Sequence, residues 1–286
     1  MRRARLILNP VPWTRRAWNR LPDITNLLEE AGVRVDLAFT KLATAITQSV
    51  VQAAQEGYDL VIAGGGDGTV SEVAAGLVGT GVPLGILPFG TYNNIAHNLS
   101  LPLDLAEAAL AIVKGNTMDV DVGVANGVYF FEAVGVGLDA RLFPIGEEIK
   151  EGHYEKMIEG ALAFLRHRKA VMSLRLDGEE MELRSPLVVV ANGTYYGAGF
   201  TIAPQASVVD GLLEVVIFDC AKWEMARHFT FSPQSRERQE PCISRLQAEE
   251  ITISSESPLP AHADGKPIAV PVTCRVIPKS LRVFVP

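Results

Sequence analysis

A continuous apolar run, Leu60-Val61-Ile62-Ala63, leads directly into Gly64-Gly65-Gly66-Asp67-Gly68-Thr69 and then into a segment of helical character. No other stretch constrains the fold as tightly. A run apolar at every position reads as a strand buried on both faces, which belongs to a parallel sheet. Four glycines in five positions leave the backbone bare, so its N–H groups can approach a ligand closely. The helix start that follows adds unpaired N–H groups and the positive end of a macrodipole. Together these features describe a phosphate cradle. Asp67 stands inside it, where a bare phosphate would be repelled. A magnesium ion or a reacting hydroxyl between the two resolves the conflict. The competing reading, a tight strand-to-helix turn that binds nothing, does not need four glycines.

Strand and helix signals alternate around this loop. Residues 5–9 read as a strand, 22–31 as a helix stopped by Gly32, and Val33, Val35, Leu37 and Phe39 as an alternating strand. A helix over 43–56, a strand over 58–63, a helix over 70–78, a strand over 84–87 and a helix capped by Asp104 follow. This order predicts a parallel sheet with ligands at its strands' carboxyl ends. After about Val122 the pattern changes. Strands are expected over 128–136, 171–176, 181–183, 187–191, 212–218, 250–254 and 272–277, with Asp177-Gly178 as a hairpin turn. Only 147–168 and 222–229 read as helical. The expectation is two domains: an α/β domain over 1–123, which residues 278–286 could return to complete, and a mainly antiparallel β-sandwich over 124–277.

The net charge of −7 and a pI near 5.3 exclude an ordinary nucleic-acid binder and any global attraction to an anionic membrane. Membrane contact would need a local patch. The three cysteines, Cys220, Cys242 and Cys274, are odd in number and form no C-x-x-C pair. That argues against a disulfide framework and for a reducing, cytoplasmic setting. His97, His153, His167, His228 and His262 lack metal-ligand spacing and read as surface or packing residues. The apolar stretch after Met1-Arg2-Arg3-Ala4-Arg5 ends at Asn9-Pro10, too short for a signal peptide, and no run is long enough to span a membrane. The polar stretch 232–247, with Arg236, Arg238 and Arg245, reads as a solvated loop, with a lipid-headgroup role as the functional alternative.

Three further motifs accompany the glycine loop. Phe89-Gly90-Thr91-Tyr92-Asn93-Asn94 places Thr91 and Asn93 after a strand, where they suit a nucleotide or a headgroup as well as a capped turn. Asp210 in Ala203-Pro204-Gln205-Ala206-Ser207-Val208-Val209-Asp210-Gly211-Leu212 fits a hard cation or an Asp-Gly turn equally well. Ala263-Asp264-Gly265-Lys266-Pro267 is, by itself, a turn.

In combination these motifs resemble the diacylglycerol kinase catalytic-domain family, specifically the bacterial lipid kinases related to sphingosine and ceramide kinases. The resemblance implies an ATP- and Mg²⁺-dependent lipid kinase with ATP between the two domains. It assigns ATP binding to Asn9, Thr40, Gly65, Gly66, Asp67, Gly68, Thr69, Glu72, Thr91 and Asn93. Asp210, with Ser207 and Leu212, matches a structural magnesium position. Asp67 and Asp121 match acids linked through water to the catalytic magnesium, and Asp264 matches a catalytic carboxylate. The implied partners are ATP and a membrane lipid, most simply diacylglycerol, reached by transient peripheral contact; a homodimer is compatible, and nucleic acid is not a partner.

Two positions depart from the family pattern. Lys266 replaces the glutamate of D-G-E, a favoured general base, and an ammonium cannot accept a proton. Asn94 replaces an aspartate. Three readings follow: the base is Asp264 or Asp67, with Lys266 steadying phosphate charge; the chain binds lipid or nucleotide without efficient turnover; or another carboxylate such as Glu72 contributes. An NAD kinase-like small-molecule kinase would share the glycine loop but not the Asp210 motif.

Overall fold

The computed structural model describes residues 1–9, 15–40, 43–150, 152–231 and 241–286. Two compact units divide the chain: Met1–Val122 with Pro278–Pro286, and Gly123–Ile277.

The first unit runs β1 (Arg2–Leu8), α1 (Arg15–Glu30), β2 (Val33–Phe39), α2 (Ala43–Gln55), β3 (Leu60–Gly65), α3 (Asp67–Leu77), β4 (Leu84–Pro88), α4 (Asn94–Asn98) and α5 (Leu105–Lys114), then enters β5 (Thr117–Ala125). The strand order is β2-β1-β3-β4, all parallel, with Leu8 beside both Phe39 and Gly64, and Gly64 beside Leu87. Every residue of β3 and β4 is buried, as their unbroken apolar runs require. Leu6, Leu8, Ile24, Leu28, Leu60, Ile62 and Ile112 form the core. The Asp104 carboxylate caps α5 through the N–H groups of Ala106 and Glu107, and Gly115, at φ 81°, ends it. The chain's last residues return here: Phe284 joins the core, and Val283 pairs with Leu84 in parallel.

The second unit contains β6 (Val128–Phe130), β7 (Ala133–Gly137), α6 (Leu138–Lys150), α7 (Lys156–Arg166), β8 (Ala170–Leu176), β9 (Glu179–Ser185), β10 (Leu187–Ala191), β11 (Tyr195–Tyr196), β12 (Phe200–Thr201), β13 (Leu213–Phe218), α8 (Lys222–Phe231), β14 (Ile243–Ala248), β15 (Glu250–Ser254), β16 (Ala261–Ala263) and β17 (Lys266–Ile268). It also holds the first part of β18 (Val272–Phe284). One antiparallel sheet has the order β14-β13-β10-β7-β16-β17; a second joins β9, β8, β15 and β18. Val134, Val136, Val188, Val190 and Val215 of the first pack with Met172, Leu174, Ile251, Ile253 and Cys274 of the second. That shared core makes the unit a β-sandwich.

Several elements differ from the sequence expectation. Helix α3 begins at Asp67 rather than Val70, so the end of the glycine loop is itself the first helical turn. The strand expected over 128–136 is two strands, broken where Phe131, Glu132 and Ala133 turn their N–H groups onto Asp264. The helix expected over 147–168 is α6 and α7, separated at Gly152, whose φ of 103° is incompatible with a continuous helix. Arg236 and Arg238 lie outside the described residues. Arg245 does not sit in a loop; it belongs to β14 and lies 3.3 Å from the buried Glu214 carboxylate.

The cysteine expectation is overturned. Cys220 and Cys242 form a disulfide, with Cα atoms 4.8 Å apart. The pairing of Phe218 with Ile243 at the end of β13 and start of β14 brings them together, a register that a cysteine count does not contain. Only Cys274 is free, and it is buried.

Candidate active site

In a β2-β1-β3-β4 sheet the strand order reverses between β1 and β3, and open parallel sheets bind ligands outside the carboxyl ends at such a point. The expected nucleotide residues cluster along that edge. Asn9 follows β1 and donates its N–H to Gly64 O at 3.3 Å; Thr40 follows β2 and donates to Leu8 O at 2.9 Å. Gly65 and Gly66 end β3, and exposed Thr91 follows β4.

The glycines have separate steric reasons. A Cβ on Gly65 would lie 2.6 Å from Thr69 Cβ, so Gly65 makes room for that buried side chain. A Cβ on Gly66 would lie 3.2 Å from Gly90 Cα, and one on Gly90 only 2.5 Å from Gly66 Cα. The two loops thus meet backbone to backbone. Gly66 is also the N-cap of α3 and provides no side-chain cap. A bare backbone beside an uncapped helix start fits the phosphates of a nucleotide.

Asp67 occupies the first turn of α3, where the helix dipole favours a carboxylate. Its Oδ1 accepts the Ile95 N–H at 2.9 Å, joining α3 to α4. Half-buried Glu72 lies further along α3. Asn93 adopts a left-handed conformation at φ 52°, accepts the Gly90 N–H at 2.9 Å and donates to Gly90 O at 3.0 Å. Its amide therefore shapes the turn that presents Thr91. Asp121, 1% exposed on β5, accepts the Lys279 N–H at 2.8 Å.

In the second unit, Asp264 (φ 44°) and Gly265 (φ 81°) form a two-residue hairpin turn between β16 and β17, closed by the Ala263–Lys266 pair. The Asp264 carboxylate accepts three peptide N–H groups: Phe131 at 2.7 Å, Glu132 at 3.1 Å and Ala133 at 3.0 Å. Burial pushes its pKa above the ordinary value, against the pull of those donors. Lys266 is half-buried at the start of β17.

Asp210 is exposed and accepts the Leu212 N–H at 3.0 Å across Gly211, whose φ is 75°. Ser207 and Leu212 are half-buried beside it in sequence. Among the described residues no group of three or more His, Cys, Asp or Glu side chains is arranged to hold a metal. A cation at Asp210 would therefore depend on backbone oxygens, a donor type that suits magnesium or calcium.

A further polar cluster escaped the sequence reading. Tyr196 donates its hydroxyl to Asp139 Oδ2 at 2.6 Å; His262 Nε2 lies 2.8 Å from the same oxygen and 2.9 Å from the hydroxyl. The Gly265 N–H donates to His262 Nδ1 at 3.0 Å. Burial and the Asp139 charge hold the Tyr196 pKa well above its ordinary value, so the hydroxyl keeps its proton. The only sequence signal was positional: His262 alternates with Ala261 and Ala263 and precedes Asp264 by two residues.

Known proteins share this architecture. Residues 3–125 match the family model for the diacylglycerol kinase catalytic domain, and residues 132–285 match that for the YegS C-terminal NAD kinase beta sandwich-like domain. Diacylglycerol kinases of Staphylococcus saprophyticus and Staphylococcus aureus are 29% and 30% identical over 273 residues, covering 93% of this chain and 89% and 86% of theirs. A crystal structure of a diacylglycerol kinase from Bacillus anthracis aligns with a TM-score of 0.81 at 25% identity, covering 99% of this chain and 97% of that one. These matches make the chain a lipid kinase, and kinases of this family use ATP. The chain belongs to the diacylglycerol kinase catalytic-domain family.

Proposed function

We propose that this chain transfers the γ-phosphoryl group of ATP to the hydroxyl of diacylglycerol, forming phosphatidic acid and ADP. The observation that carries the reading is the meeting of Gly66 and Gly90 beside the uncapped start of α3, with Asp67 in its first turn. Backbone N–H groups there would cradle the phosphates, with Asn9, Thr40, Thr69, Glu72 and Thr91 around them and Asn93 holding the Gly90 turn.

Phosphoryl transfer needs positioning, charge neutralisation and removal of the hydroxyl proton. Asp67 and Asp121 would hold catalytic Mg²⁺ through water, and that ion would neutralise phosphate charge. Asp210, with the carbonyl oxygens of Ser207 and Leu212, would hold a structural Mg²⁺. The lipid oxygen attacks the γ-phosphorus, the bond to the bridging oxygen breaks, and ADP leaves. Asp264 takes the hydroxyl proton. An elevated pKa makes the group a better base. Lys266 would steady phosphate charge.

The substrate is a membrane lipid, and no helix among the described residues is long and apolar enough to cross a membrane. Peripheral contact through α7 is supported by its exposed Met157, Ile158, Leu162 and Leu165, with exposed Tyr154 just before the helix. Beside it, Arg168, Lys169, Arg184 and Lys222 line a cavity of about 730 Å³ with Phe164, Met225 and Asp219, the last ion-paired to Lys169. Apolar residues next to a basic cluster suit an anionic bilayer surface. Supplying diacylglycerol, sphingosine and NAD separately with labelled ATP tests the assignment. Label in phosphatidic acid supports it, and label confined to NAD replaces it with the small-molecule kinase reading.

A further inference from the structure

The hairpin that carries Asp264 is braced from beneath by a polar relay. Strand β16 alternates, sending Ala261 and Ala263 into the sandwich core and His262 to the opposite face. Directly across from His262 on β7 is Gly135. A Cβ there would collide with Asp139 Oδ2 and lie 2.8 Å from His262 Nε2. The absence of a side chain at Gly135 is what lets the carboxylate and imidazole meet. Phe143 covers the imidazole, with ring centroids 4.6 Å apart, and its Cε1 lies 2.5 Å from where a Gly265 Cβ would stand.

The hydrogen bonds fix the imidazole tautomer. Because Nδ1 accepts the Gly265 N–H, the ring carries its proton on Nε2 and donates it to Asp139. Tyr196 donates to the same Asp139 oxygen. Asp139 lies in the first turn of α6, where the helix dipole favours its charge. The Gly265 nitrogen belongs to the peptide bond that immediately follows Asp264. Tyr196, Asp139 and His262 therefore form a continuous chain of contacts ending on the peptide that orients Asp264. A two-residue hairpin of this conformation requires no side-chain brace, and burying three polar groups is costly.

We propose that Asp139, Tyr196 and His262 are positioning residues for the phosphoryl-transfer reaction: through the Gly265 N–H they hold the Asp264 carboxylate in the orientation that receives the hydroxyl proton. The inference rests on the reading of Asp264 as the base. The device lies wholly within the second unit, and none of the residues assigned to ATP belongs to it, so its loss is expected to act on turnover rather than on ATP binding.

The test compares His262→Ala, His262→Asn, Tyr196→Phe and Asp264→Asn in the full chain, measuring kcat and the KM for Mg-ATP with diacylglycerol, and the melting temperature. His262→Ala is expected to lower kcat roughly tenfold or more while leaving the KM for ATP within about twofold. His262→Asn, whose Oδ1 can accept the Gly265 N–H in place of Nδ1, is expected to recover most of that rate. Tyr196→Phe removes one hydroxyl and should cost about threefold in kcat. A folded His262→Ala with full kcat overturns the inference, as does a loss that His262→Asn does not restore. Should His262→Ala fail to fold, Tyr196→Phe decides: unchanged kcat overturns the proposal. Asp264→Asn separates the two levels. Wild-type rate in that variant defeats the base assignment itself; an inactive Asp264→Asn beside a fully active His262→Ala defeats only the positioning role.

Discussion

Gly66 and Gly90 come from different loops and approach so closely that a Cβ on Gly90 would lie 2.5 Å from the Gly66 Cα. Backbone stands against backbone, so no rotamer change relieves the clash. Gly90→Ala is therefore expected to separate the loops, cost about 1–3 kcal/mol of stability and weaken ATP binding roughly tenfold. Gly68 is the internal control for the stability effect alone. A Cβ there meets nothing within 4 Å, and alanine is the better helix former, so Gly68→Ala should hold or raise stability by about 1 kcal/mol. Thermal melts and calorimetric titration with ATP read both effects.

The exposed face of α7 gives a separate prediction. Ile158 is 70% and Leu165 61% exposed. Replacing both with glutamate should reduce sedimentation with phosphatidylglycerol-containing vesicles while leaving turnover of dispersed short-chain diacylglycerol unchanged. Equal sedimentation of variant and wild type would place membrane contact elsewhere. A wild-type mass that halves in the variant would instead assign this face to a homodimer.

The disulfide is open to direct counting. Burial pushes the Cys274 thiol up to about 12, which leaves almost no thiolate near neutral pH. With Cys220 and Cys242 paired, the native chain should show no reactive thiol, one after denaturation, and three after denaturation with reduction. Three thiols on denaturation without reductant would mean that the pair is not bonded in the isolated protein.

His167 should make stability depend on pH. Its Nε2 lies 2.8 Å from Pro186 O inside the second unit, and burial holds its pKa below the ordinary 6.5. Between the folded value and 6.5 the unfolded chain binds the extra proton, so this contribution is intact above 6.5 and declines as pH falls below it. Melting curves from pH 7.5 downward should therefore fall more steeply for wild type than for His167→Gln. Parallel slopes would show that His167 titrates normally in the fold.

The features legible in the sequence were those encoded locally. The fully buried β3, the Asp104 cap, the Asp177-Gly178 hairpin and the glycine edge each follow from a few consecutive residues. What escaped depends on partners distant in the chain. Asp139 meets Tyr196 across 57 residues and His262 across 123, so no spacing rule links them. The Cys220–Cys242 bond follows from the β13–β14 register. Arg245 read as part of a solvated loop because its neighbours in sequence are polar, whereas it lies in β14 and its partner Glu214 on the adjoining strand. Asp264 read as an ordinary turn residue; its three N–H donors come from residues more than a hundred positions earlier.

The central claim, a phosphoryl transfer organised by Asp67 at the start of α3, is tested most directly by following label from γ-labelled ATP into diacylglycerol for wild type and Asp67→Asn. Asparagine can still accept the Ile95 N–H that Asp67 Oδ1 accepts at 2.9 Å, so the variant should fold and melt like wild type. The account predicts labelled phosphatidic acid from wild type, abolished by EDTA, and a rate reduced about a hundredfold or more in Asp67→Asn. Equal rates from the two proteins would contradict it.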